Sequence, residues 1–344
     1  MYNAATVELI KKIPSIGGYD IERLPQALTR VYARIISLKT KYEDGTLPFN
    51  DLELDKDYRE LDNLANTLEL LLIVNDEREI RQSVAYVAAT ARKLMVMIRE
   101  RQALLLSLLS VPEELYAALL YVISGSLADA QEVANHFSTD VAPSKGAKML
   151  MNCVKWLLGG KLSVLNRFNV SVPKENNPVL MAEELLWVEM IKGVKQLASF
   201  LKDGSEYSSE AFHRVEELSS YKIDIGETSQ SDIYTGSLVL AKLTTMAAEE
   251  LMNHALIRVN APLGVNLSEW NDAIRRQIAY RPYLWDNHIE AIRKGVLNVG
   301  TSAVITFPTG AGKTTLSELK IASCLLTGKD VVYLVPTHAL ESQV

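Results

Sequence analysis

Apolar residues recur at every third or fourth position through most of the first 260 residues, and this period limits the fold more than anything else in the chain. Leu28, Val31, Ile35 and Leu38 keep that spacing, as do Leu61, Leu64, Leu68 and Leu71. Ile80, Val84, Val87, Ala91, Leu94 and Ile98 make a longer stripe, with Arg81, Arg92, Lys93 and Arg99 off it. Such residues share one face only if the backbone winds at about 3.6 residues per turn. Leu180, Trp187, Ile191, Val194 and Leu201 mark another helix, and Leu240, Leu243, Ala247 and Leu251 a later one. A helical stretch is also expected after Ser110, a candidate N-cap followed by Glu113 and Glu114. Period-two alternation is missing before about residue 260, so no strand is expected there. Clusters of turn formers at 42–51, 138–146, 170–178 and 201–210 separate the helices. Residues 1–260 therefore read as an all-α domain.

At 344 residues the chain has room for a second core. Its hydrophobic content of 48 % and charged content of 23 % are those of an ordinary soluble globular protein. The most apolar run, Ala103–Pro112, is too short to span a bilayer, and it reads as core. The N-terminus lacks the apolar stretch of a secretory signal. Cys153 and Cys324 offer neither a disulfide framework nor metal-ligand spacing. A cytoplasmic protein with no membrane partner is expected. Charge is uneven: residues 1–270 carry 28 Lys/Arg against 36 Asp/Glu, and residues 271–344 carry 8 against 6. Bulk charge would not draw a polyanion to the helical part, so a protein partner is expected there, an effector nuclease or a regulator.

Other candidates are weaker. His136, His213 and His254 have no metal spacing, and "AAEELMNH" lacks the second histidine of a metalloprotease helix. Glu249 and Glu250 are adjacent, point to different faces and read as a solvated edge.

The pattern changes beyond residue 260. Residues 261–280 read as a linker and 281–344 as the start of a different domain. A helix fits Leu284–Leu297, a buried strand Ser302–Phe307, a second helix Lys313–Leu326 and a second strand Val331–Val335. Strand, Gly-rich turn, helix and strand make one βαβ unit of a parallel sheet. The turn, "PTGAGKT" from Pro308 to Thr314, has the Gly-Lys-Thr ending of a phosphate-binding loop. Gly310 and Gly312 let backbone N–H groups converge, and the helix that follows adds its positive end. Lys313 reaches terminal phosphates, and the Thr314 hydroxyl is placed to ligate Mg²⁺. The expected cofactor is ATP with Mg²⁺, held by Thr309, Gly310, Ala311, Gly312, Lys313, Thr314 and Thr315. Phe307 stands where the strict pattern has glycine.

"PTGAGKT" followed by "VVYLVPTHAL" resembles motifs I and Ia of superfamily-two helicases, especially the Ski-type, DEAD/DEAH-like branch. "FPTGAGKTTLSELKI" with "YLVPTHAL" also resembles helicase subunits of bacterial anti-phage systems such as Hachiman. The resemblance covers about 60 C-terminal residues. It implies a RecA-like fold for that part, ATP hydrolysis by Lys313 and Thr314, and a DNA or RNA phosphate held by Pro336, Thr337, His338 and Ala339. His338 stands where the family commonly has Arg or Lys. "LWDNHIEAI" resembles the segment in which the family's glutamine reads adenine, and His288 stands in its place. The acidic "DE-x-H" strand and the second RecA-like domain that hydrolysis needs are not in these 344 residues. The expectation is the N-terminal part of a longer helicase, inactive as a 344-residue piece, or alternatively a helical interaction module.

Overall fold

The stripes at helical spacing wind into α1 (Leu24–Glu43), α2 (Asp51–Val74) and α3 (Arg78–Arg101). There follow α4 (Glu113–Ile123), α5 (Leu127–Asn135), α6 (Lys145–Leu158), α7 (Leu162–Arg167), α8 (Pro178–Asp203), α9 (Glu210–Ser219) and α10 (Thr235–Asn253). The computed structural model describes residues 24–43, 51–75, 77–101, 111–172, 175–220, 223–225, 228–230, 234–307 and 312–334. It divides into two compact units, one of residues 1–201 with 205–253, the other of 202–204 with 254–344.

In the first unit α3 packs against α1, α2 and α4, and α4 also meets α5 and α10. Every residue of α4 is buried, so its sequence has no polar stripe to offer solvent. That position explains a departure from expectation. Pro112, not Ser110, is the N-cap, and Ser110 lies outside the described residues, as does 102–110 as a whole. Glu113 and Glu114 are buried rather than solvated: Tyr58 donates to Glu113 and Arg99 to Glu114.

A second buried ionic group ties α3 to α2. Arg92 is 5 % exposed and Glu69 1 %. The guanidinium grips Glu69 with two bonds, from Nε to Oε1 at 2.7 Å and from Nη2 to Oε2 at 3.0 Å. Nη1 donates to Asp62 at 3.0 Å and Nη2 also to Asn66 at 2.7 Å. Residues 62, 66 and 69 lie on one face of α2, which is why three partners meet one arginine. The Arg92 guanidinium also lies 4.9 Å from the Tyr116 ring centre. Glu250, expected at a solvated edge, is buried and accepts from Arg78 Nη2 at 2.6 Å, joining α3 to α10. His254, in the second unit, is buried with Nε2 3.0 Å from Asp286.

Between α1 and α2, the buried Asp57 accepts from Lys41 Nζ at 2.8 Å and Tyr42 OH at 2.7 Å. Burial alone would raise this carboxyl, but those two bonds and the Lys41 charge hold it below the usual carboxylate range. Glu60 is likewise held low by its hydrogen bonds from Arg34. A carboxyl whose folded pKa is depressed adds stability above its unfolded value of about 4, and loses it as pH falls through the folded value. Thermal melts between about pH 2 and pH 7 should therefore show stability declining on the acid side. Asp57→Asn should lower the melting temperature at neutral pH and flatten that decline; an unchanged pH profile would contradict the assignment.

Gly193 of α8 faces the buried Phe212 ring of α9. A Cβ there would lie 2.4 Å from Phe212 Cε1. Helix propensity favours Gly193→Ala by roughly 0.5–1 kcal/mol, while overpacking costs about 1–3 kcal/mol. With the ring fully enclosed, overpacking should win. The variant should melt below the native chain, and a higher melting temperature would show that the ring gives way.

One short hairpin departs from the all-helical expectation for this unit. β1 (Ile223–Ile225) pairs antiparallel with β2 (Thr228–Gln230), Asp224 opposite Ser229. Three-residue strands are too short to register as alternation. Among the described residues no helix is long and apolar enough to cross a membrane.

The second unit begins with a 3₁₀ turn, Leu256–Arg258, and an isolated antiparallel bridge between Ala255 and Tyr283. The stretch expected as a linker contains α11 (Leu267–Ile278), capped by Asn266 and buried through Trp270, Ile274 and Ile278. After it come α12 (Asp286–Arg293) and α13 (Lys313–Leu326). The two segments expected as parallel strands do not pair: neither 301–307 nor 329–334 has a ladder partner among the described residues. Several of their apolar side chains stand in solvent, with Val304 92 %, Val332 83 % and Leu334 87 % exposed. Strands of a parallel sheet are held by neighbours on their edges and covered on both faces, and neither is present among the described residues.

Candidate functional site

α13 is fixed from three sides within its unit. Leu316 and Leu319 are buried, Ser323 Oγ donates to Leu297 O at 2.7 Å, and Lys320 Nζ donates to Asn298 O. α11 packs on it, where Gln277 donates to Glu318. Arg281 Nη1 donates to Thr315 Oγ1 at 3.0 Å and lies 3.6 Å from Glu318. The helix is thus anchored through Thr315, Leu316, Glu318, Leu319, Lys320 and Ser323.

The N-terminus itself starts at Gly312, which has φ 74°, in the left-handed region. A side chain there would be strained, and its Cβ would lie 2.3 Å from His288 Nε2. The Gly312 carbonyl accepts from Thr315 N–H at 3.0 Å and faces His288 Nε2 at 3.0 Å. No acidic residue occupies the first turn of α13. The helix end therefore offers N–H groups and positive potential with no carboxylate to neutralise them.

The candidate residues separate by position. Lys313 and Thr314 are exposed in the first turn. Lys313 Nζ donates to Phe307 O at 2.6 Å, so the ammonium reaches the last described residue before the 308–311 segment. Thr315 is buried, with its hydroxyl turned to Arg281, so its side chain belongs to the helix packing. Gly312 forms the junction. Thr309, Gly310, Ala311, Pro336, Thr337, His338 and Ala339 lie outside the described residues.

His288 is 3 % exposed and sits at the third position of α12. Its Nδ1 accepts from Trp285 N–H at 3.1 Å, the N3-to-N-cap half of a capping box. The ring stacks on Trp285, centroids 5.6 Å apart and planes 10° apart, and lies 6.2 Å from the Phe307 ring. His288, which stands where the resembling family has its adenine-reading glutamine, packs on Trp285 and against the Gly312 carbonyl. Arg281 and Gln277 carry no motif and were not expected at the site, and Trp285 and Phe307 lie within the quoted segments but had been given no packing role there. Only the N3 spacing from Trp285 to His288 could have signalled the packing role.

The donor set suits a polyphosphate: a glycine junction that excludes a Cβ, a helix N-terminus free of acids, and an exposed ammonium beside it. Among the described residues no group of three or more His, Cys, Asp and Glu side chains is placed to hold a metal.

No protein-family model matches the chain. Over 62 residues it is 37 % identical to an ATP-dependent DNA helicase, Hel308, from Methanocella arvoryzae. The matched stretch is 18 % of this chain and spans 8 % of the length of that relative.

Proposed function

We propose that the unit of residues 254–344 binds Mg·ATP through the 308–314 loop, as a helicase-related module. The observation that carries the reading is the junction of Gly312 with Lys313: a left-handed glycine opening a helix whose first residue donates to the Phe307 carbonyl. The helix end and the backbone N–H groups around it would hold phosphate oxygens, and Lys313 would neutralise the terminal ones. Mg²⁺, held through Thr314 and the phosphates, would supply charge neutralisation at the β- and γ-oxygens.

For the whole protein the proposal is ATP-driven helicase or translocase activity on DNA or RNA, with a role in anti-phage defence. Its support is the resemblance of two motifs and the short match to a DNA helicase. Pro336, Thr337, His338 and Ala339 would contact the nucleic acid. A second role is proposed for the helical unit, docking of a protein partner, because residues 1–270 carry an excess of acidic over basic side chains.

Displacement of a fluorescent ATP analogue tests the first reading. Mg·ATP and inorganic tripolyphosphate should both compete, because the contacts are to phosphate, and AMP should not. Absence of saturable binding, or competition by AMP equal to that by ATP, would overturn it.

A further inference from the structure

Both ring nitrogens of His288 are committed to backbone groups of fixed chemistry. The Trp285 N–H can only donate, so Nδ1, 3.1 Å away, accepts and carries no proton. The Gly312 carbonyl can only accept, so Nε2, 3.0 Å away, holds the proton and donates. One neutral tautomer satisfies both, and the ring joins the start of α12 to the start of α13. Its faces are occupied as well, by stacked Trp285 on one side and tilted Phe307 nearby. The large side chain at 307 thereby acquires a use, since a glycine there would leave this edge of the imidazole uncovered.

We propose that His288 is a positioning residue for the phosphate loop and does not read the nucleobase. It fixes the Gly312 carbonyl, and with it the left-handed turn that aims the first N–H groups of α13. A base reader needs a free donor and acceptor at the site, and both of these are spent on the main chain. The inference rests on the loop being a phosphate site. It deepens that reading by assigning recognition there to the polyphosphate and not to the base.

The test is calorimetric titration of Mg·ATP, Mg·GTP and inorganic tripolyphosphate into the native chain and three variants. His288→Ala removes the ring, His288→Phe keeps its shape without the nitrogens, and His288→Gln keeps one acceptor and one donor. Ala and Phe should weaken all three ligands by the same factor, roughly three- to tenfold, leaving the ATP-to-GTP ratio unchanged. Gln should restore binding, since glutamine at this helix position can accept from the N-cap N–H and still donate onward. Circular dichroism identifies folded variants, and His288→Phe serves if His288→Ala does not fold. A changed ATP-to-GTP ratio with tripolyphosphate binding intact would overturn the proposal alone. So would unaltered affinities in folded Ala and Phe variants. Failure of the native chain to bind any of the three would remove the phosphate-loop reading together with this one.

Discussion

Replacing Glu69 by Ala should lower the unfolding free energy of the helical unit by about 3–5 kcal/mol, the cost of leaving a buried charge without its partner. Arg92 would keep Asp62 and Asn66 but lose the two-bond grip that balances its burial. Attraction and desolvation oppose each other here. Burial alone would lower the Arg92 pKa, yet the Glu69 charge and hydrogen bond outweigh it and hold the guanidinium protonated. The arginine therefore cannot escape by losing its proton. Against a typical total of about 5–15 kcal/mol such a loss is large. Removing both charges should behave differently: Glu69→Leu with Arg92→Met should sit close to native stability or above it, because neither side then strands a charge. Denaturant unfolding followed by circular dichroism separates the cases. A Glu69→Ala chain within about 0.5 kcal/mol of native, the range of ordinary surface changes, would mean that water or Asp62 replaces Glu69.

The second large effect belongs to the loop. Lys313→Ala should weaken Mg·ATP binding by about 1.5–3 kcal/mol, the worth of hydrogen bonds to charged groups, or roughly 10- to 150-fold in Kd. The fold should persist, because the side chain is exposed and the helix it begins is held by Leu316, Leu319, Ser323 and Lys320. Lys313→Arg is not expected to rescue, since a planar fork does not reproduce the compact point charge of an ammonium.

Most helices were legible because they bury one stripe, α4 being buried all round, and α13 runs over the residues its sequence suggested, Lys313 to Leu326. Where the outcome differed, distant residues decided. Glu113, Glu114 and Glu250 are acids in helical sequence with no local sign that they would be buried and met by Tyr58, Arg99 and Arg78 from other helices. The 223–230 hairpin is too brief to show a period. Ser302–Phe307 and Val331–Val335 are apolar enough for strands, but pairing depends on neighbours, and most of the described residues of both lie exposed. At the site, the Gly-Lys-Thr ending was visible from composition and spacing. The burial of Thr315 under Arg281 was not, because it depends on how α11 meets α13. His288 was visible only as a substitution in a resembling segment, whereas its bonds to the Trp285 N–H and the Gly312 carbonyl depend on how α12 meets the start of α13.

Isothermal titration of Mg·ATP into the native chain and into Lys313→Ala, both verified as folded by circular dichroism, decides whether residues 308–314 grip a nucleotide. Saturable one-site binding is expected for the native chain, with affinity lowered roughly 10- to 150-fold in the variant. No binding by the native chain, or equal affinity in the two, would contradict it.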